Sequence, residues 1–307
     1  MRLYQRNSVF LFCAMLAWHV TVDCQASYVL GTSTSATVTV SENGETVFSG
    51  YDSMRHGVYS ASRAFDSLPR IGGGDIISAE GRAYADSASA TIGAYAHTSG
   101  KGVLIDPGSS TAVYAASISN LTVRYRVVSD MIPVGTPVDL VAELLFHGTM
   151  DMKYYPVNGF LGIYDTVKAY APDDTLVAQH QGGASYSSTW GASVNGGWTY
   201  GAARDPNLDF DVSYIGQLQF SGIVGDQFVF SMDLSTNLQE GSYAYRKIIE
   251  GDIQGSYELF ATDPDTGLIM DSVFLEPQPV PIPAAAWFFA SGLACLSGIR
   301  RRSRKRL

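Results

Sequence analysis

Asp209 and Asp211 are the carboxylates whose spacing best suits bond-breaking chemistry. They alternate with apolar residues in Leu208-Asp-Phe-Asp-Val-Ser-Tyr-Ile-Gly-Gln-Leu-Gln-Phe220, so in a strand both project from one face, about 6.6 Å apart at roughly 3.3 Å per residue. Hydrolysis of a glycosidic bond needs two carboxyl groups flanking it, about 5.5 Å apart for retention or roughly 6.5–9.5 Å for inversion. The pair passes that distance test, with Asp205 close by. The polar face of any soluble strand shows the same residues, however. No nucleophile elbow, phosphate loop or dinucleotide fingerprint accompanies them, and Gly72-Gly-Gly74 lacks the Lys and Ser or Thr of a phosphate loop.

A second set of residues suits binding rather than turnover. Tyr186, Trp190, Trp198 and Tyr200 surround a Gly-rich segment that also holds Asn195; rigid amphipathic rings of this kind stack on sugar faces, serve a protein interface, or pack a core. Metal chemistry is poorly supplied. His56, His97, His147 and His180 form no pair at zinc spacing, and Glu143 and His147 lie about 13 Å apart in a strand. Asp263, Asp265 and Gly267 share one turn and Asp173-Asp174 another; calcium wants six to eight oxygens, and Asx-turns account for the same residues without an ion. No cofactor is expected.

Strands must position all of these groups. Leu208 to Phe220 alternates apolar and polar residues, and Leu121, Val123, Tyr125 and Val127 oppose Thr122, Arg124 and Arg126 in the same way. Phe228, Phe230, Met232 and Leu234 repeat the pattern, while Val138 to Phe146 reads as a strand covered on both sides. Glu42-Asn-Gly-Glu45 and Val194-Asn-Gly-Gly-Trp198 fit tight hairpins, and Asp263-Pro-Asp-Thr-Gly267 fits a turn joining Gly255–Ala261 to Leu268–Leu275. The best helix candidate is Val58 to Leu68, a short cap over a sheet edge. The expected fold is all-β: an antiparallel β-sandwich, with a jelly roll as the narrower form. Small residues from Tyr28 to Val40 and from Gly81 to Ala96 would let the sheets stack closely.

The two ends of the chain suggest export. Arg2 and Arg6 precede the apolar run Val9 to Trp18, and Ala26 precedes Ser27, the layout of a secretory signal peptide cleaved by signal peptidase. Ten apolar residues make about 15 Å of helix, half of a hydrocarbon core of roughly 30 Å, which favours cleavage over anchoring. Cys13 and Cys24 leave with the signal and Cys295 lies near the C-terminus, so residues 27–276 hold no disulfide and no thiolate metal site. Two of the 20 Lys and Arg fall in the signal and six in the last eight residues, against one of the 29 acids; the exported body therefore keeps 12 cations and 28 anions. Such a body repels phosphate backbones, so no nucleic-acid partner is expected.

After residue 276 the character changes. Pro277, Pro279, Pro281 and Pro283 alternate in a stiff donor-poor linker, residues 284–299 are uncharged and mostly apolar, and Arg300, Arg301, Arg302, Arg304, Lys305 and Arg306 follow. Pro283 to Ile299 gives about 26 Å of helix, enough to span with snorkelling arginines; the positive-inside bias keeps the cations cytoplasmic, with Trp287 at the opposite interface. A permanent single-pass anchor fits the same residues. This tail resembles the PEP-CTERM sorting domain of exopolysaccharide-producing Gram-negative bacteria, in its variant with a Val-Pro-Leu-Pro-like box. Val280, Pro281, Ile282 and Pro283 stand as the box, Ala284 to Ala286 as its small residues, Trp287-Phe-Phe289 as its aromatic patch, and Arg300 to Arg302 as the start of its cluster. Where the name-giving motif has Glu, this chain has Ile282. The resemblance covers about 27 residues and implies recognition by exosortase in the inner membrane near the proline box.

The resulting expectation divides the chain into a signal peptide (1–26), an exported β domain (27–276), a proline linker and sorting box (277–283), a transmembrane helix (284–299) and a cytoplasmic basic tail (300–307). Its expected role is that of a non-catalytic surface or extracellular-matrix protein, with exopolysaccharide as an associated partner. A glycan-active enzyme using Asp209 and Asp211, or a lectin-like module using the four aromatics, is the alternative.

Overall fold

The computed structural model describes residues 31–278 apart from 43–44, 57–58, 70–75, 102–110, 154–158, 188–190, 202–208 and 241–246. The signal peptide, the sorting box, the expected transmembrane run and the basic tail lie outside the described residues, as do Trp190 and Asp205. Among the described residues there are strands and turns but no helix. In chain order the strands are β1 (Gly31–Glu42), β2 (Glu45–His56), β3 (Tyr59–Pro69), β4 (Ile76–Asp86), β5 (Thr91–Lys101), β6 (Thr111–Ser129), β7 (Pro137–Lys153) and β8 (Gly159–Tyr170). They continue as β9 (Leu176–Ser187), β10 (Gly191–Asn195), β11 (Thr199–Tyr200), β12 (Asp209–Ile223), β13 (Gln227–Glu240), β14 (Lys247–Thr262) and β15 (Val273–Pro277).

Two antiparallel sheets result. The first runs β10-β9-β8-β13-β6-β1-β2 with β15 also on β6, and the second runs β11-β12-β7-β14-β5-β4-β3. One core lies between them, built from the inward half of each alternating strand, as in β12, where Val212, Tyr214, Leu218 and Phe220 are buried and Ile215, Gln217 and Gln219 are exposed. Strands adjacent in sequence face one another across the core: β2 on β3, β6 on β5, β13 on β14.

The expected alternations at 121–127 and 228–234, and the described part of that at 208–220, appear as inward faces of β6, β13 and β12, and Glu42 pairs with Glu45 at the expected hairpin. Four expectations need correction. The expected helix over 58–68 is not found, since its described residues lie in strand β3: Ser60, Ser62 and Ala64 are buried while Tyr59 and Arg63 are exposed, and eleven residues pair with β4. The inward side chains are small, so the large apolar residues around them imitate helical spacing. The 194–198 turn is not a hairpin within one sheet. It carries the chain from β10 in the first sheet to β11 in the second, and both central glycines have positive φ, 60° at Gly196 and 80° at Gly197. The outer face of β7 is covered only at Val141, and Glu143, Leu145 and His147 along it are exposed.

The last strand is also placed differently. Beyond a single bridge between Thr262 and Ile269, the segment after β14 leaves its neighbour, and β15 pairs with residues 125–129 of β6. Residues 111–122 on the same edge of β6 are taken by β1. β15 and β1 therefore lie end to end. The Gln278 amide donates to the Arg124 carbonyl at 2.7 Å, and Gly31 stands opposite Thr122, so the body's two ends sit two β6 residues apart.

Small residues bring the sheets close where β1 and β6 cover β3, β4 and β5. A Cβ on Gly81 would lie 2.6 Å from the Ala116 carbonyl oxygen of the opposite sheet. Hydroxyls bridge the gap: Thr34 and Ser62 share a hydrogen bond of 2.7 Å, Thr236 donates to the Ala94 carbonyl at 3.1 Å, and Ser119 donates to the Gly93 carbonyl.

Candidate functional site

The β10–β11 turn draws three of the four aromatics together, and it points two of them inward. Trp198 is 3% exposed and Tyr186 7%. Trp198 packs against Phe146 at 5.8 Å between ring centres and lies over Gly182, where a Cβ would come within 2.7 Å of the indole. Tyr186 meets Phe210, and Tyr200 packs on the same ring from the other side at 5.4 Å. The Tyr200 hydroxyl donates to the Ser185 carbonyl at 2.5 Å and accepts from the Ser193 amide at 3.1 Å, tying β11 of one sheet to β9 and β10 of the other. In this structure these rings close the end of the core.

Trp198 has a polar partner that its sequence context does not announce. Its indole N–H donates to Asp165 Oδ1 at 2.6 Å, and the other carboxylate oxygen faces His180 Nε2 at 3.1 Å. Asp165 is buried on the inward face of β8, directly beside Gly182 of β9. The His180 ring stacks on Tyr214 at 4.3 Å. A buried carboxylate is costly unless hydrogen-bonded, and here the indole donates to one oxygen while the imidazole nitrogen stands beside the other.

The outward surfaces of the two sheets differ in chemistry. On the second sheet, Asp209 stands opposite Asp151, Asp211 opposite Thr149, and Glu250 and Asp252 of β14 occupy the next strand at the same levels. His97 Nδ1 lies 3.3 Å from Glu250, Arg82 covers the Tyr95 ring at 4.2 Å, and Glu80 receives Arg63 and Arg82 at 2.5 and 3.0 Å. Burial and then Glu250 push the Tyr95 hydroxyl up to about 12. Burial, reinforced by Glu250 and opposed by Arg82 and His147, raises the Asp252 carboxyl above its ordinary value. Its contribution to stability is thus present below the ordinary carboxylate range and lost as pH rises through the raised value. Further along this face Glu143 and Glu258 stand directly opposite each other beside a groove of about 660 Å³, with Leu145, Ile215 and Gly216 in its wall. Gln217 donates to Glu143 at 3.0 Å.

Part of the first sheet presents the opposite character. The register aligns Gly183, Tyr164, Ser235, Ile118, Ser35 and Ser53 in one row, Ser185, Gly162, Asn237, Ala116, Thr37 and Tyr51 in the next, and Ser187, Phe160, Gln239, Tyr114, Thr39 and Ser49 in a third. No residue of these rows is charged. Charge begins one row beyond, with Arg55 on β2 and Asp233 on β13, whose carboxyl is raised by burial and accepts from Asn120 at 2.6 Å.

The acidic turns spend their oxygens locally. Asp263 Oδ1 accepts from the Asp265 and Thr266 amides at 2.9 and 2.8 Å and from the Thr266 hydroxyl at 3.1 Å, and Asp173 Oδ1 accepts from the Thr175 amide at 3.1 Å. The Thr266 amide and hydroxyl and then the Asp265 amide hold the Asp263 carboxyl below its ordinary value, and the Thr175 hydroxyl followed by its amide does the same for Asp173. Among the described residues no three His, Cys, Asp or Glu side chains converge as metal ligands. The sorting residues Val280, Pro281, Ile282, Pro283, Trp287, Arg300, Arg301 and Arg302 lie outside the described residues. Comparison of the chain with protein-family models and with curated proteins finds no match.

Proposed function

We propose that this chain is an exported, non-catalytic surface or extracellular-matrix protein, delivered by its N-terminal signal, sorted by its C-terminal tail through exosortase, and associated with exopolysaccharide. The observation that carries this reading is the three-part tail: a proline box at 280–283, an uncharged apolar run to Ile299, and six cations in the last eight residues. The body suits that role. Its described part is all-β, the body is free of cysteine and strongly acidic, and its last described sheet contact, at Gln278, comes two residues before the box. We read the two facing sheets as a β-sandwich. The chain's repeated passage between sheets, β5 to β6 to β7 to β8 and β12 to β13 to β14, is the trait it shares with jelly rolls.

Expression of the full chain in Gram-negative hosts with and without an exosortase tests the reading. N-terminal sequencing and intact mass of the surface fraction should show a chain beginning near Ser27 and, with exosortase only, shortened near the proline box. Cytoplasmic protein with both ends intact in both hosts would sink it. A second reading, glycan cleavage, has one observation in its favour: the backbone register makes Asp209 and Asp151 direct cross-strand partners, so two carboxylate-bearing residues stand side by side on neighbouring strands. Release of reducing ends from a polysaccharide panel would select it.

A further inference from the structure

We infer that the outward face of the first sheet is a binding platform for a neutral polysaccharide, centred on Tyr164, Tyr114 and Asn237. The inference rests on the reading of the chain as a polysaccharide-associated surface protein, and it names the site and the class of glycan. Tyr164 lies down on the sheet: a Cβ on Gly162 would meet its ring at 2.7 Å, and one on Gly183 would meet it at 2.9 Å. Two adjacent glycines thus leave the space in which the ring rests, with one face on the backbone and the other towards solvent, and the side chain is 36% exposed. Ser185 hydrogen-bonds the Tyr164 hydroxyl, and Phe160 leans over Gly162 from the other side. Two strands away, Tyr114 is 37% exposed and held by donation from its hydroxyl to Asn237 Oδ1 at 2.9 Å. Both rings are therefore pre-positioned, which reduces the ordering cost of binding.

The backbones of the two tyrosines are about 16 Å apart by two strand spacings and four residues of rise, while the Tyr164 ring over Gly162 and the Tyr114 hydroxyl on Asn237 meet at a register pair, so the two side chains and Asn237 form one continuous strip longer than a single sugar ring, suited to a chain of several units. Between them the surface offers Ser235, Asn237 and Gln239, which exchange hydrogen bonds with hydroxyl groups without carrying charge. Aromatic planes suit the apolar faces of pyranose rings. Acidic glycans find no cation in these rows and meet a net-negative body. A protein partner would want a desolvated apolar centre, whereas Ile118 is the one large aliphatic residue in the three rows.

Affinity electrophoresis of the purified full chain tests the proposal, using gels that contain hydroxyethylcellulose, mixed-linkage β-glucan, galactomannan, alginate or polygalacturonate. At least one neutral polysaccharide should retard the protein, and Tyr164→Ala and Tyr114→Ala should each weaken that retardation about tenfold, the loss of roughly 1.4 kcal/mol of stacking. Glu258→Gln on the opposite face should leave it unchanged, and thermal melting should show all three variants folded. Retardation by acidic polysaccharides alone, by none, or undiminished in the double tyrosine variant would overturn the proposal. So would a concentration-dependent dimer lost in the same variants, which would make a second copy the occupant. The gel reads the purified protein whatever its cellular destination, so failure here leaves export and sorting standing, and failure of export leaves the gel result standing.

Discussion

The interior of this protein is built in two ways. Where β1 and β6 cover β3, β4 and β5, the buried side chains are Ala36, Ser62, Ala64, Ala83, Ala94 and Ala115, and hydroxyls reach across to the opposite sheet. Where β8 and β13 cover β7, β12 and β14, the filling is Phe146, Trp198, Tyr214, Phe230, Met232 and Tyr257. Side-chain size sets the separation of stacked sheets, so the first region is thin and cross-linked by hydrogen bonds, while the second is thick and held by ring contacts. Deep in the thick region two phenols meet each other, Tyr125 and Tyr257 at 2.8 Å, and only a side chain as long as Tyr200 reaches the opposing backbone. A hydroxyl on a short side chain can satisfy itself across a narrow gap; in a wide one it would be stranded.

Phe146→Ala should break the thick region most severely. Phe146 is fully buried against Trp198 and Tyr214, and its loss should lower stability by about 3–5 kcal/mol in urea unfolding, with little change in slope. Gly81→Val tests the thin region from the opposite direction. The new side chain would meet the Ala116 backbone, and a loss of about 1–3 kcal/mol is expected; a neutral result would mean that the sheets have room to part. Thr34→Val is the smallest change. It removes one inter-sheet hydrogen bond while Ser62 keeps its bond to the Thr34 carbonyl, so about 1 kcal/mol should be lost, and Ser62→Ala in the same background should add less than it does alone.

The thick region was the more legible of the two. Large apolar residues alternating with Asp, Ser and Gln through 208–220 leave no doubt about which face is inward. In the thin region the inward residues are Ser60, Ser62 and Ala64, whose polarity and size carry no such signal, and the neighbouring Val58, Phe65 and Leu68 fall at helical intervals instead. Trp198 illustrates a different difficulty. An aromatic beside Asn195-Gly-Gly197 has the same local context whether it faces a ligand or a core, and its bond to Asp165 spans 33 residues that no local pattern connects. The neutral platform was invisible for a related reason. Tyr114, Tyr164 and Asn237 come from three separate strands, and the absence of charge around them emerges only when the register is laid out.

Local information sufficed for whatever depends on neighbours along the chain: strand character from period-two alternation, turns from Asn-Gly and Asp-Pro, the acidic balance of the body, and the succession of proline box, apolar run and cations from which the sorting reading derives. Tertiary structure decided what depends on residues distant in sequence. It assigned β10 and β11 to different sheets, moved β15 from β14 to β6 beside the start of β1, buried Tyr186 and Trp198, and gathered three uncharged rows on the outer face of the first sheet. The physical reason is that alternation specifies which residues share a face but not which strand lies alongside, and cross-strand pairing is what assembles a surface.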